Sequence, residues 1–337
     1  MQFFKTIFFA VLVTAFFATA CTESTTTTTA EKSAPEPEYS LDQLKTHNKF
    51  SSSIPPVLTV PDGAVVRFET KEASDEQFTK ESTVEAVSSL DFEPIHPLTG
   101  PVYVESAEPG DVLAVTLHKI DVGDWGWASI VPGFGFLADE FTEPYLKIFD
   151  IPKGASTIKF NENIALPIEP FPGVIGVAPA TDSLLNTIPP RQNGGNMDNP
   201  FLTEGVTVYF PVLVKGALFS IGDPHVTQGL GEVCGTAIEG PLTFTCELKV
   251  IKGGRKIEEA QYETDSYYAT TGYAPTIDEA AKKATKYMID YLVAEHGLAR
   301  EEAYVLCSLA GDLHIAETVD VPNMLVAMHI SKAVFGK

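Results

Sequence analysis

Short runs in which apolar and polar residues alternate fill the chain between about residues 54 and 250. Alternation with a period of two residues predicts β-strands with one buried face. Turns rich in Pro, Asp and Gly separate the runs, so the pattern predicts hairpins across 61–63 and across 108–111. The predicted strands cover 57–60, 64–70, 101–104, 112–117, 206–212 and 242–250.

The strongest helical pattern comes late in the chain. Apolar residues recur at helical spacing over 276–296, where Gly297 stops the run, and a second helix is predicted over about 300–310. Both helices are expected to cover a sheet. The predicted fold class is therefore mostly β (α+β), a β-sandwich or barrel-type body with a few late helices.

The N-terminal residues are expected to lie outside this fold. Residues 1–20 contain one charge, Lys5, and a short apolar core, which predicts a secretory signal peptide; an N-terminal anchor helix is the alternative. The sequence Ala-Thr-Ala before Cys21 resembles a lipobox, which makes Cys21 the candidate for lipidation. Residues 21–40 read as a Thr/Ser-rich tether and 41–337 as the body. This layout predicts an extracytoplasmic protein, lipid-anchored at a bacterial membrane or periplasmic, that contacts the membrane only through the anchor.

Composition narrows the function classes. The chain has 337 residues and a formal charge of −22, whereas nucleic-acid binding requires a basic surface. Hydrophobic residues make up 44%, which is typical of a globular protein. The sequence therefore predicts a folded protein that does not bind nucleic acid.

Candidate chemistry concentrates between residues 191 and 239. Asp223, His225 and Glu232 are predicted to lie in a Gly-rich loop between two strands, and antiparallel pairing of the preceding strand could bring Asp198 beside them. Carboxylates with one imidazole suit a hard or borderline divalent ion. The alternative is a turn-rich loop in which Asp and His side chains only bind backbone amides.

Several segments together resemble the acetamidase/formamidase family. The most specific is 209–239, which contains GALFSIGDPH followed by QG and GEVCGTAIE. Further similar segments lie at 55–60, 68–70, 96–104, 107–113, 171–180, 194–198 and 308–315, so that the resemblance extends over roughly residues 45–335. The resemblance implies a β-rich enzyme that hydrolyses short aliphatic amides, such as formamide or acetamide, to carboxylate and ammonia. It also implies metal ions, as in some members, and a possible homo-oligomer. Leu230 stands where an acidic residue is common in the family.

Amide hydrolysis requires a strong nucleophile, oxyanion stabilisation and an acid for the amine, and a metal-activated water meets the first two requirements. The hypothesis is that a divalent ion, zinc or calcium, assists a general base, Glu232 or Glu239. The predicted roles are metal ligands Asp198, Asp223 and His225, catalytic residues Glu232, Glu239 and Asp223, additional ligands His47 and His96, and substrate-binding residues Asn196 and Gln228.

Two alternatives remain open at this stage. Cys234 could be a nucleophilic thiol, or it could pair with Cys246 as a disulfide and leave Cys307 unpaired. The chain could also be a surface-anchored lipoprotein that binds a small molecule and has lost catalysis. In that case Trp125, Trp127, Phe134 and Phe136 would grip the ligand.

Overall fold

A computed structural model describes residues 34–253 and 256–336. The predicted signal peptide, Cys21 and most of the predicted tether lie outside the described residues, so these remain predictions. From Ala34 onward the described chain forms one compact unit.

The secondary structure is dominated by strands, which confirms the predicted fold class. The strands are β1 (Tyr39–Leu41), β2 (Thr46–His47), β3 (Leu58–Val60), β4 (Ala64–Glu69), β5 (Leu98–Val104), β6 (Val112–Val122), β7 (Trp125–Ile130), β8 (Tyr145–Asp150), β9 (Thr157–Asn161), β10 (Ile164–Pro167), β11 (Phe171–Gly176), β12 (Gly194–Asn196), β13 (Thr207–Pro211), β14 (Phe219–Thr227), β15 (Ile238–Glu239), β16 (Leu242–Ile251), β17 (Gln261–Glu263), β18 (Tyr267–Ala274), β19 (Gly311–Glu317) and β20 (Met324–Ser331). The helices are α1 (Ile277–His296) and α2 (Arg300–Ala310), with short 3-10 turns at Val84–Ser89 and Lys332–Phe335.

Two large sheets share one apolar core. The first has the strand order β1-β4-β16-β6-β13-β17-β18-β20-β19, and the second has the order β12-β11-β14-β15-β7-β8, with β5 pairing β14, β2 and β3. The ring of Phe219 in the second sheet lies 5.6 Å from that of Phe68 and 6.4 Å from that of Phe210 in the first. Aromatic packing of this kind adds to the burial energy that holds the two sheets together.

Both predicted hairpins are wrong. β3 pairs with β5 in the second sheet, whereas β4 pairs with β1 and β16 in the first. Likewise β5 pairs with β14, and β6 pairs with β16 and β13. Each Pro/Gly turn thus carries the chain from one sheet to the other. Alternation reveals which face of a strand is buried, but both sheets bury a face in the same core, so it does not reveal the partner.

The two predicted helices are confirmed. The side chain of Thr276 caps α1 by accepting a hydrogen bond from the amide of Glu279, and Gly297 ends the helix at a left-handed φ of 67°. Helix α1 packs on β18 and β20 of the first sheet. Within the part of the chain that the structure describes, no helix is both long and apolar enough to span a membrane.

Strand β14 replaces the Gly-rich loop that the sequence predicted around Asp223. All nine of its residues are buried, because β11, β5 and β15 flank it. Gly222 does not form a turn; it lets β14 approach β5 closely. A Cβ at this position would lie 2.6 Å from the carbonyl oxygen of Pro97. A strand buried on both faces shows no alternation of apolar and polar residues, so the sequence pattern of β14 does not identify it as a strand.

Candidate active site

A single buried imidazole lies among buried carboxylates. His225 Nε2 is 3.2 Å from Glu239 Oε2 and 3.3 Å from Asp223 Oδ2. The same nitrogen is 3.6 Å from Asp198 Oδ1. All four side chains are at most 3% exposed, so these charges interact with little screening by water.

The sheet register places these side chains side by side. His225 of β14 pairs directly with Glu239 of β15. Asp198 follows β12, which reaches β14 through β11. The strand that was expected to return Asp198, β13, lies in the other sheet. Gly173 of β11 leaves the necessary room, because a Cβ there would lie 2.6 Å from both Asp198 Oδ1 and Asp223 Oδ2.

The cluster contains two overlapping sets of candidate ion ligands. Asp198, His225 and Glu232 form one set, and Asp223, His225 and Glu239 form the other, with the ligand atoms of each set within 4.8 Å of one another. Asp198 Oδ1, Asp223 Oδ1 and Glu239 Oε2 are buried and make no well-aligned hydrogen bond, although Glu239 Oε2 lies 3.2 Å from His225 Nε2. Unpartnered buried carboxylate oxygens are costly unless they coordinate a cation. The residues therefore fit a divalent metal ion, as the sequence predicted.

The pKa values separate the acids into two kinds. Burial raises the pKa of Glu232 well above its usual value, and burial raises that of Glu239 to about 7. Burial also opposes ionisation of Asp223, but the positive charges of His96 and His225 outweigh it and lower the Asp223 pKa. Burial disfavours the charged form of His225, yet Glu239 and Asp223 hold its pKa well above the usual value. Environments that push carboxylate pKa values apart are a hallmark of acid–base sites.

Backbone strain also concentrates here. Asp198, Asp223 and Glu232 have φ angles of 37°, 50° and 44°, and His96 has a φ of 53°. Residues other than Gly rarely adopt this left-handed backbone conformation, and those that do are concentrated at functional sites. His96 thus shares its unusual backbone with the acids of the cluster.

The cluster forms the floor of a cleft with apolar walls. The empty volume of the cleft is about 520 Å³, and this includes space open to solvent. Its apolar lining is Ala73, Leu90, Phe92, Ile95, Trp127, Val131, Phe134 and Ile188. A concave apolar site with a few convergent polar groups is the usual form of a small-molecule site.

Of the two predicted substrate-binding residues, Asn196 lines the cleft and Gln228 is not among the residues that line it. The side chain of Gln228 accepts from His225 Nδ1 at 2.9 Å and donates to the carbonyl oxygen of Asp198 at 2.8 Å. It therefore orients the imidazole, as outer-shell partners of metal ligands do. Asn196 lines the cleft and donates from Nδ2 to Asp320 Oδ2 at 2.8 Å.

The two additional predicted ligands differ in position. His96 lines the cleft, and its Nε2 lies 3.9 Å from Asp223 Oδ1. His47 is in neither ligand set, and both of its ring nitrogens are engaged, at 2.7 Å from the carbonyl oxygen of Lys49 and 2.8 Å from Ser220 Oγ. His47 thus joins β2 to β14 in this structure.

His47 provides a test of pH-dependent stability. Burial lowers its pKa to about 4, whereas an unfolded histidine titrates near 6.5. Between pH 4 and pH 6.5, His47 binds more protons in the unfolded chain than in the folded protein. The free energy of unfolding therefore falls as the pH falls from 6.5 towards 4. By pH 5 this loss amounts to about 2 kcal/mol. Urea unfolding at pH 7 and pH 5 should show a smaller decrease for His47→Gln than for the wild type. Equal decreases would remove His47 as the source.

Three buried acids at or near the cleft were missed by the sequence analysis. Asp320 lines the cleft, and Glu317 Oε2 accepts hydrogen bonds from the amides of Val319 and Asp320. Glu72 accepts from the indole nitrogen of Trp127 at 2.7 Å and so fixes one wall. The segment 308–315, which resembles the acetamidase/formamidase family, ends two residues before Glu317. Following the sequence a few residues past this segment would have identified Glu317 and Asp320 as candidate site residues.

The alternative in which Cys234 pairs with Cys246 as a disulfide is wrong. Cys246 is buried in β16 of the first sheet and Cys234 is exposed, and both are free thiols, as is Cys307. Cys234 Sγ lies 3.5 Å from the carbonyl oxygen of Thr236 and faces a separate apolar pocket with Phe134 and Leu137. Cys234 is not among the residues that line the cleft with the carboxylate cluster, so the structure does not favour the thiol alternative.

Comparison with known proteins agrees with this site. The model of the acetamidase/formamidase family matches residues 35–186 and 182–337, which is most of the chain. The chain belongs to the acetamidase/formamidase family. It is therefore an amidase, an enzyme that acts on linear amide C–N bonds. Leu230 is 48% exposed and is not among the residues that line the cleft.

Three relatives show the extent of the similarity. A crystal structure of an acetamidase from Bacillus halodurans superposes with a TM-score of 0.83 at 34% identity, over 88% of this chain and 98% of that one. An acetamidase of Mycolicibacterium smegmatis is 30% identical over 65% of this chain and 71% of its own length. A formamidase of Methylophilus methylotrophus is 27% identical over 86% of this chain and 89% of its own.

Proposed function

We propose that this member of the acetamidase/formamidase family hydrolyses short aliphatic amides, of formamide and acetamide size, to the carboxylate and ammonia with a metal-activated water. The observation that carries the proposal is the set of unpartnered carboxylate oxygens around His225 at the floor of an apolar cleft. The names of the acetamidase and formamidase relatives support the substrate class.

The ion would be held by Asp198, Asp223 and His225, and Glu232 and Glu239 are each a member of one of the two ligand sets. Several oxygen ligands with one imidazole suit zinc or calcium. Such an ion supplies polarisation of the amide carbonyl and a lower pKa of water. Gln228 holds the imidazole in place from the opposite ring nitrogen.

The two glutamates suit different proton transfers. Glu239, with a pKa raised by burial to about 7, is partly ionised at neutral pH and can accept the proton of the attacking water. Glu232, with a pKa well above its usual value, carries a proton that it can donate to the leaving nitrogen. Asp223 stays ionised because its pKa is lowered. The proton that Glu239 takes up then passes back to Glu232, so the net reaction converts amide and water into carboxylic acid and ammonia with the enzyme regenerated.

Two of the four aromatic residues that suggested a binding protein belong to this same site. Trp127 and Phe134 line the cleft above the carboxylates, whereas Phe136 is 55% exposed outside it. Trp127 packs edge-on against Phe78 at 4.5 Å and is held by Glu72. Trp127 and Phe134 thus give the cleft apolar walls beside the acid cluster, which strengthen its electrostatic interactions. Buried acids with raised pKa values in the same cleft favour the hydrolase over the binding protein.

Ammonia release and metal content test the proposal together. We expect purified protein to contain a divalent ion by elemental analysis and to release ammonia from formamide or acetamide. Chelation should lower the rate by about tenfold or more, and adding back zinc or calcium should restore it. Full activity in protein shown to be metal-free would overturn the metal role, and no ammonia from either amide would overturn the hydrolase.

A further inference from the structure

One wall of the cleft rests on a buried carboxylate that belongs to neither ligand set. Glu72 is 2% exposed, and its Oε2 accepts hydrogen bonds from the amide of Ser74 at 2.8 Å and from the indole nitrogen of Trp127 at 2.7 Å. Its Oε1 accepts from the hydroxyl of Ser74 at 2.8 Å and from the amide of Glu76 at 2.6 Å. Because burying a carboxylate among neutral donors opposes folding, stability alone does not account for the presence of Glu72.

The sheet register places Trp127 beside the acids. In the second sheet His225 pairs with Glu239, and Glu239 pairs in turn with Trp127. Residues that pair directly project from the same face of a sheet, so the indole comes next in line after the imidazole and the acid. Trp127 is 3% exposed, and it is the largest apolar side chain that lines the cleft.

Glu72 fixes the indole in two ways. The first is the direct hydrogen bond to its nitrogen. The second runs through Ser74, whose hydroxyl donates to Glu72 and accepts from the amide of Phe78 at 3.0 Å. The ring of Phe78 packs edge-on against that of Trp127, with the ring centroids 4.5 Å apart. The carboxylate thus holds both the indole and the residue that packs against it, which is the kind of support that preorganises a binding wall.

We propose that Trp127 limits the size of the acyl group that the cleft accepts, and that Glu72 is the positioning residue that fixes the indole for this purpose. The inference rests on the proposed amide hydrolysis and adds the residues that select the acyl side of the substrate. The acyl chain is the apolar part of a simple amide, so with the amide group at the acids it lies against the indole. A wall that is held in place cannot move aside for a longer chain.

The ratio of kcat/KM for butyramide to kcat/KM for acetamide measures this limit. One methylene more or less in an apolar pocket changes specificity by about tenfold or more, so the wild type should favour acetamide by at least that factor. Trp127→Leu makes room beside the acids and should raise the ratio by about tenfold or more. Bound metal, measured by elemental analysis, should be the same as in the wild type.

A double-mutant cycle tests whether Glu72 acts through the indole. Glu72→Gln replaces an accepting oxygen with an NH2 group that cannot accept a hydrogen bond, so it should raise the same ratio by about fivefold. In the Trp127→Leu background the same substitution should leave the ratio unchanged, because the group that Glu72 positions is gone. Should Glu72→Gln fail to fold, Trp127→Phe removes the same hydrogen bond from the other partner and keeps a ring against Phe78; the ratio should rise there too.

Glu259→Gln is the matched control, a second buried glutamate away from the cleft. Glu259 is 6% exposed, accepts from the amide of Tyr273 at 3.1 Å and does not line the cleft. We expect this variant to melt at a lower temperature than the wild type while its ratio stays within about twofold of the wild-type value. A loss of stability alone therefore does not imitate the effect expected for Glu72→Gln.

Several outcomes would overturn the inference. Equal kcat/KM of the wild type for the two amides would do so while leaving amide hydrolysis intact, and this result does not depend on any variant. An unchanged ratio in an active Trp127→Leu protein would remove the role of the indole. An effect of Glu72→Gln that is the same with and without Trp127 would remove the positioning role of Glu72. A wild type that hydrolyses neither amide would overturn the proposed function and this inference with it.

Discussion

Replacing His225 with alanine is expected to reduce amide hydrolysis by about a thousandfold or more and to abolish tight binding of the ion. His225 belongs to both ligand sets, so its loss disables both. Its imidazole also lies between carboxylates whose next positive partner, among the residues that the structure describes, is His96 at 3.9 Å from Asp223. Without it, the remaining acids face each other in a buried site, where like charges repel strongly.

His118→Ala is the matched control for this substitution. His118 lies on β6 in the first sheet, where its Nε2 is 3.0 Å from Glu247 Oε2, and it does not line the cleft. We expect it to retain activity within about twofold, because partly exposed ion pairs contribute little. Steady-state rates and bound metal of the two variants provide the measurement. A His225→Ala protein that keeps its metal and at least a tenth of its activity would contradict this view of the site.

Adding one methyl group at Gly173 is expected to lower activity by about a hundredfold or more, although Gly173 has no functional group. The new Cβ would lie 2.6 Å from Asp198 Oδ1, 2.6 Å from Asp223 Oδ2 and 2.8 Å from the carbonyl oxygen of Asp223. These distances are too short for a carbon–oxygen contact, so both carboxylates must move. Displacements of about 1 Å in an active site cost on the order of a hundredfold in rate.

Gly229→Ala provides the control for Gly173→Ala. Gly229 lies two residues after β14, and a Cβ there meets no heavy atom within 4 Å. We expect this variant to bind metal and hydrolyse acetamide like the wild type. Thermal melts of both variants separate a local displacement from a loss of fold, because overpacking typically costs about 1–3 kcal/mol. A fully active Gly173→Ala protein that keeps its metal would show that the two carboxylates are not required where the structure places them.

The sequence predicted the elements of this fold better than their partners. Alternation identified strands such as β16, where every second side chain enters the core, and capping residues marked α1. Partners depend on contacts between distant segments, such as β5 with β14, for which local periodicity has no signal. Alternation also fails for β14 itself, because both of its faces are buried.

The site was predictable where its residues are close in the sequence. Asp223, His225, Glu232 and Glu239 fall within 17 positions of the chain, and the structure brings them together. Asp320 enters from the C-terminal region through a bridge between Gly231 and Glu317 that no local pattern reveals. The contacts of Gln228 with His225 and Asp198 were not predictable from the sequence either. An amide side chain can bind a substrate or a neighbouring protein side chain, and local sequence does not distinguish the two.

The crossing of the chain between sheets has a consequence for biosynthesis. The cleft combines Ala73 and Ser74 near the start of the body with Asp320 near its end, and β5 needs β14, which is more than 110 residues later, as its partner. Contacts this distant in sequence form late and slowly. A growing polypeptide that lacks its final strands therefore cannot close the cleft. The enzyme becomes competent only once nearly the whole chain has been made and folded.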